Sequence, residues 1–141
     1  MLVKDLMTPG ISCVRPEASL TQVARQMKQE NVGSIPVCND RGEVLGLVTD
    51  RDIVIRAIAE DGAENAAAQD IMTKNLVFTS PDMNTHDAAL LFAKYQVRRL
   101  PVVVNNKLVG MLSLADVARK TIYIDEAGDA LSAISKPSNL H

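Results

Sequence analysis

The chain repeats itself, and the repeat limits its architecture more than any other feature. KDLMT at residues 4–8 returns as QDIMT at 69–73, and NVGSIPVC at 31–38 returns as QVRRLPVV at 96–103, an offset of 65 residues. Beyond that the offset falls to 64, where VLGLVTDRDI (44–53) matches LVGMLSLADV (108–117). The lost residue falls where NDRG (39–42) gives way to NNK (105–107), between two β-rich runs. A hairpin turn is where a scaffold absorbs a deletion most easily. Such a period means one supersecondary unit occurring twice. A unit of roughly 60 residues is marginal alone, so the two are expected to share a core.

Each unit reads in the same order. An extended piece comes first, ISCV in copy one and LVFT in copy two, closed by Pro16 and Pro81. A helix follows in copy one, with Leu20, Val23, Ala24 and Met27 at i, i+3, i+4 and i+7. Ser19 and Gln22 form its capping box. In copy two Asn84 is the N-cap, and Thr85, Ala88, Ala89 and Phe92 occupy the matching face. Two Val/Ile/Leu-rich runs around an Asn/Asp/Gly turn then predict an antiparallel hairpin, SIPVC with VLGLV and LPVVV with LVGML. A second helix closes each unit, DIVIRAI or DVARKTI. The boundaries this gives are 1–59 for repeat one, 69–124 for repeat two, and an Ala-rich acidic connector at 60–68, expected to be partly helical. Residues 125–141 are expected to hold a short helix and then a fraying Pro/Ser/Asn tail.

The second helix of each unit starts at a motif: GLVTDRD (46–52) and GMLSLAD (110–116), each a Gly, two apolar residues, a hydroxyl residue, two variable positions and Asp. Thr49 with Asp52, and Ser113 with Asp116, can be capping boxes, the hydroxyl meeting the N3 amide and the acid complementing the helix dipole. They can also be binding elements, since capping boxes favour Glu or Gln at N3 and free amides at a helix start attract anions. The two roles are compatible.

The ordered set of D-[LI]-M-T, [IL]-P-V and the Gly–hydroxyl–Asp junction, found twice between about residues 3 and 122, resembles a tandem pair of cystathionine-β-synthase (CBS) domains, the Bateman module of stand-alone bacterial proteins. The resemblance implies an α+β fold (a CBS fold of α/β type) of two pseudo-symmetric β-α-β-β-α repeats packed through their sheets, with two clefts between them, and commonly a homodimer. It also implies a non-enzymatic regulatory sensor that binds AMP, ADP, ATP or S-adenosylmethionine as a regulatory ligand rather than a cofactor. Asp52 and Asp116 would take ribose hydroxyls, Thr49 and Ser113 would sit near phosphate, and the base would lie by Ile35, Pro36, Leu100 and Pro101. Arg98 and Arg99, just before the second [IL]-P-V strand, would add phosphate contacts through their fixed fork of donors. Copy one has Gly33 and Ser34 at those positions, so the two sites are expected to differ: phosphates of a ligand on Asp52 that cross the pseudo-twofold would meet Arg98 and Arg99, and one site would bind a phosphorylated ligand better than the other. Met7 and Met72 read as core or cleft filling, and Arg51 and Arg56 as solvated or ion-paired.

Composition narrows the alternatives. Fifteen Lys and Arg against 17 Asp and Glu give a formal charge of −2, without the footprint of a nucleic-acid or anionic-membrane binder. The apolar runs are strand-sized and no export signal is visible, so no membrane partner and a cytoplasmic location are expected. The downstream protein partner is unknown. His86 and His141 stand apart from any ligand cluster, and no metal is expected. Cys13 and Cys38 have neither zinc nor C-x-x-C spacing; they are either reduced buried thiols or a pair near enough for a redox-linked disulfide. Two other functions stay open: an interaction scaffold with empty clefts, and a thiol-based redox protein.

Overall fold

Local signals in each repeat build its helix–hairpin–helix order, as the computed structural model describes for residues 1–120 and 124–136. Helix α1 spans Val3–Leu6, and β1 spans Thr8–Pro9. Helix α2, Leu20–Glu30, starts at a closed capping box: the Gln22 amide donates to Ser19 Oγ at 3.1 Å, and the Ser19 amide donates to Gln22 Oε1 at 2.8 Å. It buries Leu20, Val23 and Met27, but Ala24 is exposed. Ala24 lies ~40° past Leu20 on the side away from Val23, at the edge of the stripe. In the second repeat, α5 (Thr85–Tyr95) is capped by Asn84, whose Oδ1 accepts the His86 amide at 2.8 Å. Its Thr85, Ala88, Ala89 and Phe92 are all buried. Both helices end on a left-handed residue, Asn31 and Gln96.

Both hairpins form. Strand β2 (Ser34–Cys38) pairs antiparallel with β3 (Val44–Thr49), in register from Ser34↔Thr49 to Val37↔Gly46, with a register shift between Val37 and Cys38. Its loop is held by Asn39, whose Oδ1 accepts the Arg41 and Glu43 amides at 2.9 and 3.0 Å. Strands β4 (Arg99–Val104) and β5 (Lys107–Ser113) are joined by Asn105 and Asn106, with φ of 52° and 68°. Two successive positive φ values make the primed turn that suits strand twist. The shortened copy therefore has the tightest connection a hairpin allows.

The second helices differ. After β3, α3 (Asp50–Asp52) continues as a π-helix, Ile53–Ile58; after β5, α6 runs over Leu114–Ala118. The connector is turn rather than helix until α4, Ala68–Ile71. Asp61 at φ 56° and Gly62, whose amide bonds the Ala57 carbonyl at 2.9 Å, end the preceding helix and redirect the chain. Helix α7, Ile124–Ser135, packs on α5 and α6 with Ala130 and Ile134 buried. The expected tail at 137–141 lies outside the described residues.

The compact units do not coincide with the sequence repeats. One unit comprises Met1–Ile11, Val77–Asn105 and the chain from Val109 on; the other comprises Ser12–Leu76 and Asn106–Leu108. Each leading D-[LI]-M-T segment thus serves the unit of the other repeat. In the second-repeat unit, β1 joins the edge of β5, Thr8↔Met111 and Pro9↔Gly110, to give the sheet order β1-β5-β4. There Val3 is buried with Phe92, Leu100, Val102, Leu112 and Val117. In the first-repeat unit Thr73 and Leu47 exchange amide–carbonyl bonds of 2.9 and 3.0 Å. Ile71 is buried there with Val14, Leu20, Val23, Ile35, Val37 and Val48.

Candidate functional site

The two junction motifs begin with Gly for a steric reason. A Cβ on Gly46 would stand 2.5 Å from Met72 Sδ and 2.9 Å from the Thr73 carbonyl. A Cβ on Gly110 would stand 2.8 Å from Met7 Sδ and 2.9 Å from the Thr8 carbonyl. The Gly of one motif and the Met-Thr of the other are therefore one contact, made once in each unit. Met7 and Met72 lie partly buried against their respective cores, where a filling role places them.

At the end of each strand the hydroxyl and the acid lock together. Thr49 Oγ1 accepts the Asp52 amide at 3.0 Å, and Asp52 Oδ2 accepts the Thr49 amide at 2.9 Å. Ser113 and Asp116 repeat this at 3.0 and 2.9 Å. The capping reading is thus realised in full. It uses one carboxylate oxygen of each Asp. The other oxygen faces an arginine: Asp52 Oδ1 is 3.7 Å from Arg56 Nε, and Asp116 Oδ1 accepts from Arg119 Nη1 at 3.2 Å. The carboxylates are 13% exposed, while Arg56 and Arg119 are 52% and 75% exposed. Ion pairs with so much solvent contribute only about 0–1 kcal/mol, so a ligand hydroxyl can take the arginine's place. Arg56 also donates to the Ile71 and Met72 carbonyls at 3.2 and 3.4 Å, whereas Arg51 lies exposed.

Around these similar junctions the surroundings diverge. In the second-repeat unit Arg98, Arg99, Ser113, Leu114, Ala118 and Leu131 line an open cavity of about 570 Å³. In the first-repeat unit Asp50, Arg51, Val54 and Ile55 border a shallower hollow of about 300 Å³. Where the second repeat has Arg98 and Leu114, the first has Gly33 and Asp50. The Asp50 carboxylate lies 3.3 Å from where a Gly33 Cβ would be. A basic and apolar pocket in one repeat is matched in the other by a hollow in which Asp50 offsets Arg51. Sequence reasoning found Arg98 and Arg99 but missed Asp50, whose signal was its alignment with Leu114. It also missed the wall supplied by α7, because nothing in the repeat pattern extends that far. Ile35 and Leu100 are 1% and 0% exposed, and Pro36 and Pro101 are buried beside them. They belong to the packed interior and border neither of the two hollows.

Comparison with known proteins settles the family. A model of the CBS domain matches residues 3–58 and again 68–122. The chain belongs to the CBS domain family. The CBS domain-containing protein YhcV of Bacillus subtilis is 40% identical over 139 residues, covering 99% of this chain and 98% of that one. Among solved structures, CBSX2 in complex with AMP superposes with a TM-score of 0.75 at 28% identity, covering 88% of this chain and 98% of that one. The CBS domain pair of protein MJ0100, in complex with 5-methylthioadenosine and S-adenosyl-L-methionine, superposes with a TM-score of 0.76 at 25% identity, covering 84% and 94%. This chain is accordingly a CBS domain pair with two repeats of mixed helix and strand. Among its described residues no helix is long and apolar enough to cross a membrane, and no three His, Cys, Asp or Glu side chains gather as a metal site would require.

Proposed function

We propose that this CBS pair is a non-enzymatic regulatory module of the cytoplasm that senses adenosine-containing ligands, and that its second repeat takes the phosphorylated ones. The observation that carries this reading is the pair Arg98 and Arg99 beside Ser113, on an apolar-walled cavity of about 570 Å³. That volume suits a nucleotide-sized molecule. Asp116 Oδ1 accepts a ribose hydroxyl in exchange for Arg119, and the guanidinium forks of Arg98 and Arg99 meet phosphate oxygens. In the first repeat Asp52 offers the same carboxylate, but Gly33 and Ser34 stand where the arginines are and Asp50 offsets Arg51, so phosphate gains less there and a neutral or cationic adenosyl ligand is favoured. The AMP and S-adenosylmethionine complexes of related pairs support both classes. Signalling requires a ligand that favours one pose of the protein over another, and a coupling of ~1–3 kcal/mol suffices.

Thermal unfolding with adenosine, AMP, ATP and S-adenosylmethionine at about 1 mM tests this. A ligand at 100 times its Kd adds ~2.7 kcal/mol, several degrees in Tm. AMP should shift Tm more than adenosine does. Substituting both Arg98→Ala and Arg99→Ala should erase that difference while leaving the S-adenosylmethionine shift. Equal shifts for AMP and adenosine would refute the phosphate assignment. No shift with any ligand would favour a second reading, an interaction scaffold acting as a homodimer. For that reading the exposed Val54, Ile55 and Ile58 of the π-helix, at 51%, 48% and 57%, offer an apolar face.

A further inference from the structure

The two cysteines take no part in the site above. Cys13 lies in the extended segment that enters the first-repeat unit, and Cys38 ends β2. A single parallel bridge joins these segments, Val14 opposite Val37. The Val14 amide donates to the Pro36 carbonyl and the Cys38 amide to the Val14 carbonyl, each at 2.9 Å. Side chains next to a bridge pair point to the opposite face from it, so residues 13 and 38 share one face. The β2–β3 register shifts between Val37 and Cys38, the unpaired extra residue being Leu45 of β3. Both are free thiols, and the Cys13 side chain lies near enough to Cys38 to raise its proton affinity. Their access to solvent is unequal: Cys38 is 1% exposed, whereas Cys13 is exposed.

We propose that Cys13 and Cys38 form a reversible dithiol–disulfide pair, in which exposed Cys13 reacts with the oxidant and buried Cys38 resolves the product. The oxidant is a small-molecule disulfide. The Cys13 thiolate attacks one of its sulfurs, forming a mixed disulfide and releasing one thiolate. Cys38 then attacks the Cys13 sulfur, passes its proton to solvent base, and expels the second thiolate. The protein loses two electrons and two protons, and the oxidant becomes two thiols. The closed bond spans 25 residues of chain, which include all of α2 and most of β2. At the matching positions the second repeat carries Phe78 and Val103, so the redox input enters the first repeat alone. It works independently of the ligand reading above, because neither cysteine borders either junction.

The full chain, treated with oxidised glutathione, is denatured, alkylated with a maleimide and weighed intact. The expected product carries no maleimide, weighs two hydrogens less than the dithiol, runs as a single chain on a non-reducing gel, and reverts with dithiothreitol. Before denaturation its Tm should exceed that of the reduced chain by ~5–15 °C, from the constrained unfolded state. Cys38→Ala should stop at a glutathione adduct on Cys13. Cys13→Ser, a surface change that spares the fold, should leave Cys38 unoxidised. The proposal is overturned if the natural chain stops at the Cys13 adduct, cross-links chain to chain, keeps both thiols, or oxidises to a form with lower Tm.

Discussion

At Gly46 and Gly110 one missing methyl group decides a contact. The Thr73 and Thr8 carbonyls that approach them are backbone atoms fixed by pairing with Leu47 and Met111, so they cannot retreat from a new Cβ. Gly46→Ala and Gly110→Ala should each destabilise the chain by about 1–3 kcal/mol, read as a lower urea midpoint at unchanged slope. A shift below 0.5 kcal/mol would show that the Met-Thr segment yields. Cys38 makes a second prediction at this scale. Burial first, and then the facing Cys13 thiol, push its pKa from 9.0 to about 12. The folded chain keeps this proton where the unfolded chain has lost it. The contribution is therefore complete below about pH 9 and is lost as pH rises toward 12. In reductant, the natural chain should lose more stability between about pH 7.5 and 10.5 than Cys38→Ala does, by urea unfolding at both pH values.

Among the elements, the hairpins were the most legible in sequence, because alternating Val, Ile and Leu runs around Asn-rich turns leave little choice of partner. The β4–β5 turn also shows where sequence and geometry are imperfectly matched. Asn106 holds φ 68°, a conformation that Asn tolerates and Gly adopts at no steric cost. Asn106→Gly gives the favoured Asn-Gly pair of a primed turn and should stabilise the chain by ~0.4–1 kcal/mol in urea unfolding. A loss of stability would mean that the Asn106 side chain holds the turn. The helices were readable at their starts, where Ser19 with Gln22 and Asn84 alone name the caps. They were less readable at their ends, where Asp61 and Gly62 turned an Ala-rich connector away from helix. The change from α to π winding after Asp52 has no signal in IVIRAI that we can name.

For the whole molecule, the exchange of leading segments has a direct consequence. Val3 is fully buried in the second-repeat unit, and the Met1 carbonyl accepts both the Thr85 amide and the Thr85 hydroxyl at 3.0 Å. A fragment beginning at residue 69 lacks these groups, although it contains the entire second repeat. It should show no cooperative thermal unfolding by circular dichroism. A chain with residues 1–11 joined ahead of 77–141 should recover a cooperative transition. Cooperative melting of the fragment from 69 onward would show that the borrowed segment is dispensable.

The sequence by itself determined the repeat, the order of elements within it, the hairpin that absorbed the deletion, and the paired Thr49–Asp52 and Ser113–Asp116 caps. Each of these rests on interactions between residues close in the chain or on periodicity within one element. Tertiary structure alone decided that each D-[LI]-M-T segment serves the other repeat's unit, and that the Asp50 carboxylate lies against Gly33. It also decided that α7 walls one cavity and that Cys13 meets Cys38. These pairings join residues far apart in the chain, and their partners are selected by burial and backbone pairing in space. Two repeats with the same motif order offer the same local signals to either choice. Only the packed core distinguishes them.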